Sequence, residues 1–274
     1  MEVIRTIAAL RSVLSPDAAF VPTMGNLHAG HLDLMRIARA HSSCVAASIF
    51  VNRLQFGVGE DFERYPRTFE EDCARLEEAG VDFLFAPTET EMYPVPQEVT
   101  VNLPPVANEL CGAARPGHFN GMATVVLKLL NIASPAYAVF GRKDYQQLHL
   151  VKKMVDQFNL PVIILEGETV READGLAMSS RNRYLSEAER TQAPQLYRNL
   201  REIVQALASG SRDYSGLTQH ARADLERRGW QVDYAEIRHA DTLSRAQPED
   251  EKLVVLAAAR LGKTRLIDNI CLET

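Results

Sequence analysis

Two histidines three residues apart, His28 and His31, close the segment Pro22-Thr23-Met24-Gly25-Asn26-Leu27-His28-Ala29-Gly30-His31. The segment follows the apolar run Ala18–Val21, which reads as a core strand, and leads into helical periodicity. With a helix starting near His28, the spacing sets both rings on one face. That face lies at the carboxyl end of a strand and the amino end of a helix, where α/β proteins gather phosphate. Gly25 and Gly30 leave the turn and the first helical turn open to close approach by a ligand. A helix cap beside a surface histidine accounts for this segment alone equally well. As metal ligands the pair is incomplete, because spacing supplies no third donor.

Three further clusters stand at ends of elements. In Phe50-Val51-Asn52-Arg53-Leu54-Gln55-Phe56 a buried strand stops and two amides, Asn52 and Gln55, follow. Amides both donate and accept, which suits a hydroxy acid better than a bare phosphate, although ordinary turn chemistry uses the same residues. In Phe140-Gly141-Arg142-Lys143-Asp144-Tyr145-Gln146-Gln147 a strand ends in Gly141, where a nucleoside can approach the backbone. Lys143 can meet phosphate as a point charge, and Asp144 can accept from ribose hydroxyls. A plain helix start explains Asp144 but leaves Lys143 unexplained. In Met178-Ser179-Ser180-Arg181, two hydroxyls and a guanidinium in sequence form a clamp for phosphate oxygens; alone, such a run is a common surface loop. Asp72 falls on a helix over Phe69–Ala79, where an exposed-face role is the default. Arg115 sits in Arg115-Pro116-Gly117-His118-Phe119, a constrained loop that could close over a bound acid.

Positioning these clusters takes an α/β framework. Strand-like runs at Ala18–Val21, Cys44–Val51, Val81–Ala86, Tyr137–Phe140 and Pro161–Leu165 alternate with helical runs at Leu32–Ala40, Phe69–Ala79, Gly121–Ile132 and Gln146–Phe158. This predicts a Rossmann-like parallel sheet with helices on both faces and the site at its carboxyl edge. Near residue 175 the pattern changes. One long helix over Glu187–Leu207, another over Leu217–Arg228, and strands at Trp230–Ile237 and Leu253–Ala259 predict a smaller α+β domain. The expected division is 1–175 and 176–274, and Asp174–Asn182 crosses it as a linker or an interdomain cleft wall.

Composition narrows the class. A formal charge of -6, from 30 basic and 36 acidic residues without a basic block, gives no support to a nucleic acid partner. Cys44, Cys73, Cys111 and Cys271 form no CxxC pair, so neither a disulfide framework nor a structural zinc site is expected. The amino end lacks a signal-peptide core and no run reaches the roughly 18 apolar residues of a membrane span, so a cytoplasmic protein is expected. Gly-x-Gly-x-x-Gly after the first strand, the Walker phosphate loop, the Gly-x-Ser-x-Gly elbow and the zincin Glu are all missing. On these grounds alone the chain reads as a nucleotide-using α/β enzyme acting on a small acid. A related nucleotidyl transferase or a nucleotide-binding sensor are the alternatives.

His28-Ala29-Gly30-His31 resembles the HIGH signature of the adenylate-forming nucleotidylyltransferases, and Met178-Ser179-Ser180-Arg181 resembles their second, KMSKS-like phosphate loop. More narrowly, Pro22–His31, Ser48–Phe56, Arg115–Phe119, Lys143–Gln147 and Asp174–Asn182, in that order, are similar to the pantoate–β-alanine ligase family, and the likeness runs on to Arg265-Leu266-Ile267-Asp268-Asn269. The resemblance implies ATP-dependent condensation of pantoate with β-alanine through pantoyl adenylate, releasing pyrophosphate and then AMP. It also implies Mg²⁺, a homodimer, a cytoplasmic location and a carboxyl-terminal domain acting as a lid over ATP. By the same resemblance, His28, His31, Lys143, Ser179, Ser180 and Arg181 hold the phosphates and stabilise the adenylation transition state. Gly30, Gly141, Asp144 and Val170 bind the nucleoside, while Met24, Gln55 and Gln147 grip pantoate. Asn52 and Asp72 assist near the phosphate and the incoming amine, and Tyr65 and Arg115 belong to lining loops. Three positions depart from the family pattern: Arg53-Leu54 replaces a proline, Cys111 a glutamate and Glu168 a proline.

Overall fold

The computed structural model describes residues 1–57 and 59–273. Six strands form one parallel sheet: β1 Glu2–Ile4, β2 Ala19–Thr23, β3 Val45–Ile49, β4 Phe83–Phe85, β5 Tyr137–Gly141 and β6 Ile163–Gly167. Their order is β1-β4-β3-β2-β5-β6, so the chain reverses its direction of travel across the sheet between β2 and β5. Helices α1 Ile7–Val13, α2 Ala29–His41, α3 Phe69–Glu78, α4 Glu89–Met92, α5 Cys111–Ala114, α6 His118–Ala133 and α7 Tyr145–Gln157 surround it. Two apolar layers hold them there. Phe20, Phe85, Leu10, Met92 and Met122 belong to one, and Leu27, Met35, Leu76 and Leu84 to the other. Helix α6 is apolar nearly all round, as a helix enclosed by the protein must be.

Pro22 opens the sheet between β2 and β5. The N–H of Ala19 donates to the carbonyl of Cys44, just ahead of β3, so by alternation residue 22 turns its nitrogen toward β5. Proline has no hydrogen there, and the β2–β5 ladder comprises only Ala19↔Tyr137 and Phe20↔Ala138. The two carboxyl ends therefore part, leaving the crevice in which α/β sheets bind ligands.

Beyond residue 178 come α8 Glu187–Gln192, α9 Gln195–Ala208 and α10 Tyr214–Arg227, packed on an antiparallel sheet of β7 Gln231–His239, β8 Lys252–Leu261 and β9 Thr264–Glu273. Its core is built on Leu196, Leu200, Ile203, Leu225 and Trp230. The fold class is as expected, with local corrections. The single helix expected over Glu187–Leu207 is two, because Pro194 cannot donate into a continuing ladder. Strand β9 was not expected, since Asp268-Asn269 interrupts its apolar alternation like a turn. Strand β1 and helix α1 were also missed; each is too short to show a period. No helix among the described residues is long and apolar enough to cross a membrane.

Helix α6 approaches the 53–55 turn so closely that a β-carbon at Gly121 would lie 1.9 Å from the carbonyl oxygen of Leu54. A Gly121→Ala substitution forces two backbones apart. We expect a loss of about 2–4 kcal/mol in urea unfolding.

Candidate active site

The turn after β2 is built on a buried carboxylate. Gly25 and Asn26 both take positive φ, +80° and 51°, a pairing that glycine and asparagine tolerate. Asp72 of α3 is 1 % exposed, and its oxygens accept the backbone N–H groups of Asn26 at 2.8 Å and Leu27 at 2.7 Å. Thr68 donates to the same carboxylate at 3.1 Å. The expected exposed-face role of Asp72 is therefore corrected: it is interior, and it shapes the turn with both oxygens committed to the protein.

The turn delivers His28 as the cap of α2, in extended conformation rather than within the helix. The two rings still meet, with centroids 4.0 Å apart. The His28 N–H donates to Nδ1 of His31 at 3.2 Å, which leaves the proton of a neutral His31 on Nε2. Burial, the other ring and the Lys143 ammonium hold His28 at a pKa of about 2. Burial and Lys143 hold His31 at about 4. Both rings are thus neutral hydrogen-bonding groups at pH 7. Gly30 is required by this arrangement, since a β-carbon there would stand 3.0 Å from the His28 ring and 3.7 Å from Val170.

Lys143 and Asp144 lie in the turn after β5, directly across the crevice. Their side chains are 3.6 Å apart, and the Lys143 ammonium lowers the pKa of Asp144, which is itself exposed at the edge of the crevice. Between this turn and the carboxyl-terminal domain lies a cavity of about 720 Å³. Arg115, Lys143, Asp144, Gln147, Ser179 and Arg181 all line it, drawing together three of the sequence clusters. His28, Ser179 and Ser180 line a second cavity of about 400 Å³ behind the serines. Ser179 faces both.

Several expected ligand contacts are engaged within the protein. The hydroxyl of Ser180 donates to Asn26 O at 2.9 Å, and Asn26 Nδ2 donates back to Ser180 O at 3.2 Å, pinning the second signature to the first. Arg181 gives Nε and Nη2 to Asp61 at 3.1 and 3.2 Å. Arg115 holds Glu60 by two bonds, the first at 2.6 Å, and gives Nη1 to His118 at 2.8 Å. His118 in turn bonds Gln55 O at 2.7 Å through Nδ1. Asn52 is 1 % exposed, donating to Gln55 Oε1 at 3.1 Å and Gly121 O at 3.2 Å while accepting from Tyr93 at 2.8 Å. In this structure it braces Gln55, whose Nε2 lies 3.1 Å from the sulfur of Met24. The side chain of Gln147 makes no hydrogen bond to another described residue, and the residue lines the cavity. Gly141 closes β5 and lets the turn begin.

Sequence reasoning missed the partners Glu60, Asp61, His118, Gln146, Arg171, Asp268 and Asn269. Gln146 is buried, accepting Cys111 N at 3.0 Å and donating to the carbonyls of Val106 and Glu109, both at 2.9 Å. His118, Gln146, Asp268 and Asn269 fall inside the quoted motifs, but nothing local marked their roles. The three departures are also placed. Arg53 turns outward to Glu63 and stacks over Phe62 at 4.4 Å, so it adds no charge to the cavity. Glu168 is exposed and pairs with Arg142 at 2.6 Å. Cys111 Sγ lies 3.1 Å from the hydroxyl of Tyr234, an interdomain contact.

A family model described as pantoate-beta-alanine ligase matches residues 2–271. The chain belongs to the pantoate–β-alanine ligase family. It is 60% identical over 273 residues to a pantothenate synthetase of Thiobacillus denitrificans, covering 98% of this chain and 96% of that one. It is 59% identical over 273 residues to the pantothenate synthetase of Chromobacterium violaceum, covering 98% and 99%. Among solved structures, the Thermus thermophilus pantoate-beta-alanine enzyme superposes with a TM-score of 0.95 at 44% identity, covering 98% and 99% of the two chains. A Francisella tularensis pantoate-beta-alanine ligase, complexed with beta-gamma ATP and beta-alanine, gives 0.81 at 34% identity, covering 98% and 97%.

Two outcomes follow from this geometry. Asp72→Asn keeps the shape but sets an NH₂ against one of two backbone N–H donors, and we expect a loss of about 2–3 kcal/mol in chemical unfolding. His31 and His118 are each lowered to about 4, in both cases chiefly by burial. Their unfolded counterparts, near 6.5, bind protons first as pH falls. Stability contributed by these groups is therefore full above about 6.5 and declines toward about 4, and His118→Gln should flatten that slope in urea titrations at stepped pH.

Proposed function

We propose that the crevice between β2 and β5 makes pantoyl adenylate from pantoate and ATP, and then passes the acyl group to β-alanine. The observation that carries this reading is the cavity in which Lys143 and Asp144 of the turn after β5, with Gln147 of α7, face Ser179 and Arg181 of the second signature. Attack of a carboxylate on the α-phosphorus needs placement and neutralisation of charge on the transferring group. Lys143 supplies a fixed positive charge, and His31 offers a neutral Nε2–H donor in a set tautomer. Each such donor is worth roughly 3–4 kcal/mol in a transition state, judged from measured oxyanion donors. Ser179 adds a hydroxyl from the second signature. Arg181 has Nη1 free of bonds to described residues, so it can take a phosphate oxygen while Asp61 keeps the other edge.

In the same reading the ribose lies against Gly141 and Asp144, and the base lies beside Gly30 and Val170. Pantoate carries a hydroxyl beside its carboxylate, which two-way amides at Gln55 and Gln147 match, with Met24 packed alongside. Once AMP is the leaving group, the second step needs a placed, unprotonated amine and little else. Enclosure by the carboxyl-terminal domain, which we place at 176–274 and read as a lid, keeps water from the mixed anhydride. Among the described residues no three His, Cys, Asp or Glu side chains converge to hold a metal. A magnesium ion carried by the triphosphate, ligated by phosphate oxygens and water, fits that donor set. Bound there, it would neutralise phosphate charge. A homodimeric, cytoplasmic enzyme completes the reading.

Pyrophosphate release with ATP, Mg²⁺ and pantoate, followed by AMP and amide on adding β-alanine, tests it. We expect pyrophosphate only with pantoate, amide only with β-alanine, and about a 10²–10³-fold loss of the first step in His31→Ala. Pantoate-independent pyrophosphate release by folded protein would overturn the assignment.

A further inference from the structure

The Arg265–Asn269 stretch ends in two polar residues that the reaction above does not use. Both are buried in β9, with Asp268 and Asn269 at 4% and 6% exposure. Asn269 reaches from the carboxyl-terminal sheet to the parallel-sheet domain, where Nδ2 donates to the carbonyls of Arg142 and Lys143, both at 2.9 Å. Those carbonyls belong to a three-residue 3₁₀ turn, Arg142–Asp144, ahead of α7. The turn has no side-chain cap of its own, and Arg142 points its guanidinium outward to Glu166 and Glu168. Backbone carbonyls shielded from water need a donor, and one amide serves two of them.

Asn269 is itself held firmly. Its N–H bonds Asp268 Oδ1 at 2.8 Å, and Arg171 forks onto Asp268 at 2.7 and 2.9 Å. Arg171 also donates to Asn269 O at 3.3 Å and lies 3.8 Å from the Tyr197 ring centroid. A fork and a stack leave the arginine little freedom, so the amide is rigidly placed.

From this geometry, and resting on the function proposed above, we infer that Asn269 is a positioning residue that sets the Lys143 turn so that the ammonium meets the ATP phosphates. It touches no substrate. Its effect runs entirely through Lys143, and it makes the lysine's placement depend on the docking of β9. Adenylation is thereby coupled to the seating of the second domain.

The test is a double-mutant cycle between Asn269→Ala and Lys143→Ala, read as pantoate-dependent pyrophosphate release at saturating pantoate and as the dissociation constant for ATP. With Lys143 present, removing two hydrogen bonds from the turn should cost about tenfold or more in adenylation rate or ATP affinity. In the Lys143→Ala background the same change should cost less than about twofold, because residues acting as a unit are not additive. Asn269→Asp, isosteric but without donors, should be at least as impaired as the alanine variant. Thermal unfolding checks the fold, and Asn269→Ser replaces the alanine variant if that fails to fold. Equal losses in both backgrounds, or full activity of Asn269→Asp, would overturn the inference. Absence of pantoate-dependent turnover in wild type would instead strike the functional reading itself.

Discussion

Everything at the site hangs on one buried carboxylate. Asp72 accepts the N–H groups of Asn26 and Leu27, two consecutive donors in a turn whose Gly25 and Asn26 take left-handed conformations. Without that acceptor two backbone donors would be stranded in the interior, at a cost of about 1–3 kcal/mol each. With it, the chain leaves β2, turns sharply and presents His28 as the cap of α2. The same turn offers Asn26 to Ser180, so the second signature docks on a surface that Asp72 created. A β-carbon at Gly25 would stand 3.0 Å from Asp72 Oδ2, which makes glycine and carboxylate a matched pair.

Several cations at and near the cavity have close carboxylate partners. Arg115 holds Glu60, Arg181 holds Asp61 and Arg171 holds Asp268. Lys143 has only the looser contact at 3.6 Å to Asp144. Pairing limits repulsion among the guanidiniums, while the Lys143 ammonium is held more loosely. The histidines beside it are kept neutral by burial and by that ammonium, so donors and charge do not compete.

The departures from the family pattern are absorbed in different ways. Arg53 finds Glu63 and an aromatic face on the outside of its turn. Cys111 keeps an interdomain contact where a carboxylate is usual, with its sulfur set against Tyr234 and 3.5 Å from Arg265. A thiol there supplies the shape and a weak hydrogen bond, and Arg265 takes its ion pair from Asp233 at 2.7 Å instead.

The sequence by itself determined the parallel α/β class, the placing of β2, β3, β5 and β6 to within a few residues, and the clusters that converge. Those signals are local: apolar runs of strand length, helical periods, and reactive side chains where runs end. The signatures at 28–31 and 178–181, read with their neighbours in order, were enough to name the family. Tertiary structure alone decided which polar groups face a ligand and which face the protein. Asp72 read as an exposed helix residue because helical position says nothing about a turn 45 residues earlier. That Asn52 braces Gln55 had no local sign, because an amide looks the same whether it holds a neighbour or binds an acid. Glu60, Asp61 and Asn269 carried no signal, since each earns its role from a partner 55 to 126 residues away. Strand β9 was hidden for the same reason. Its Asp268 and Asn269 break the apolar alternation, and only Arg171 and the carbonyls of the Lys143 turn make their burial possible.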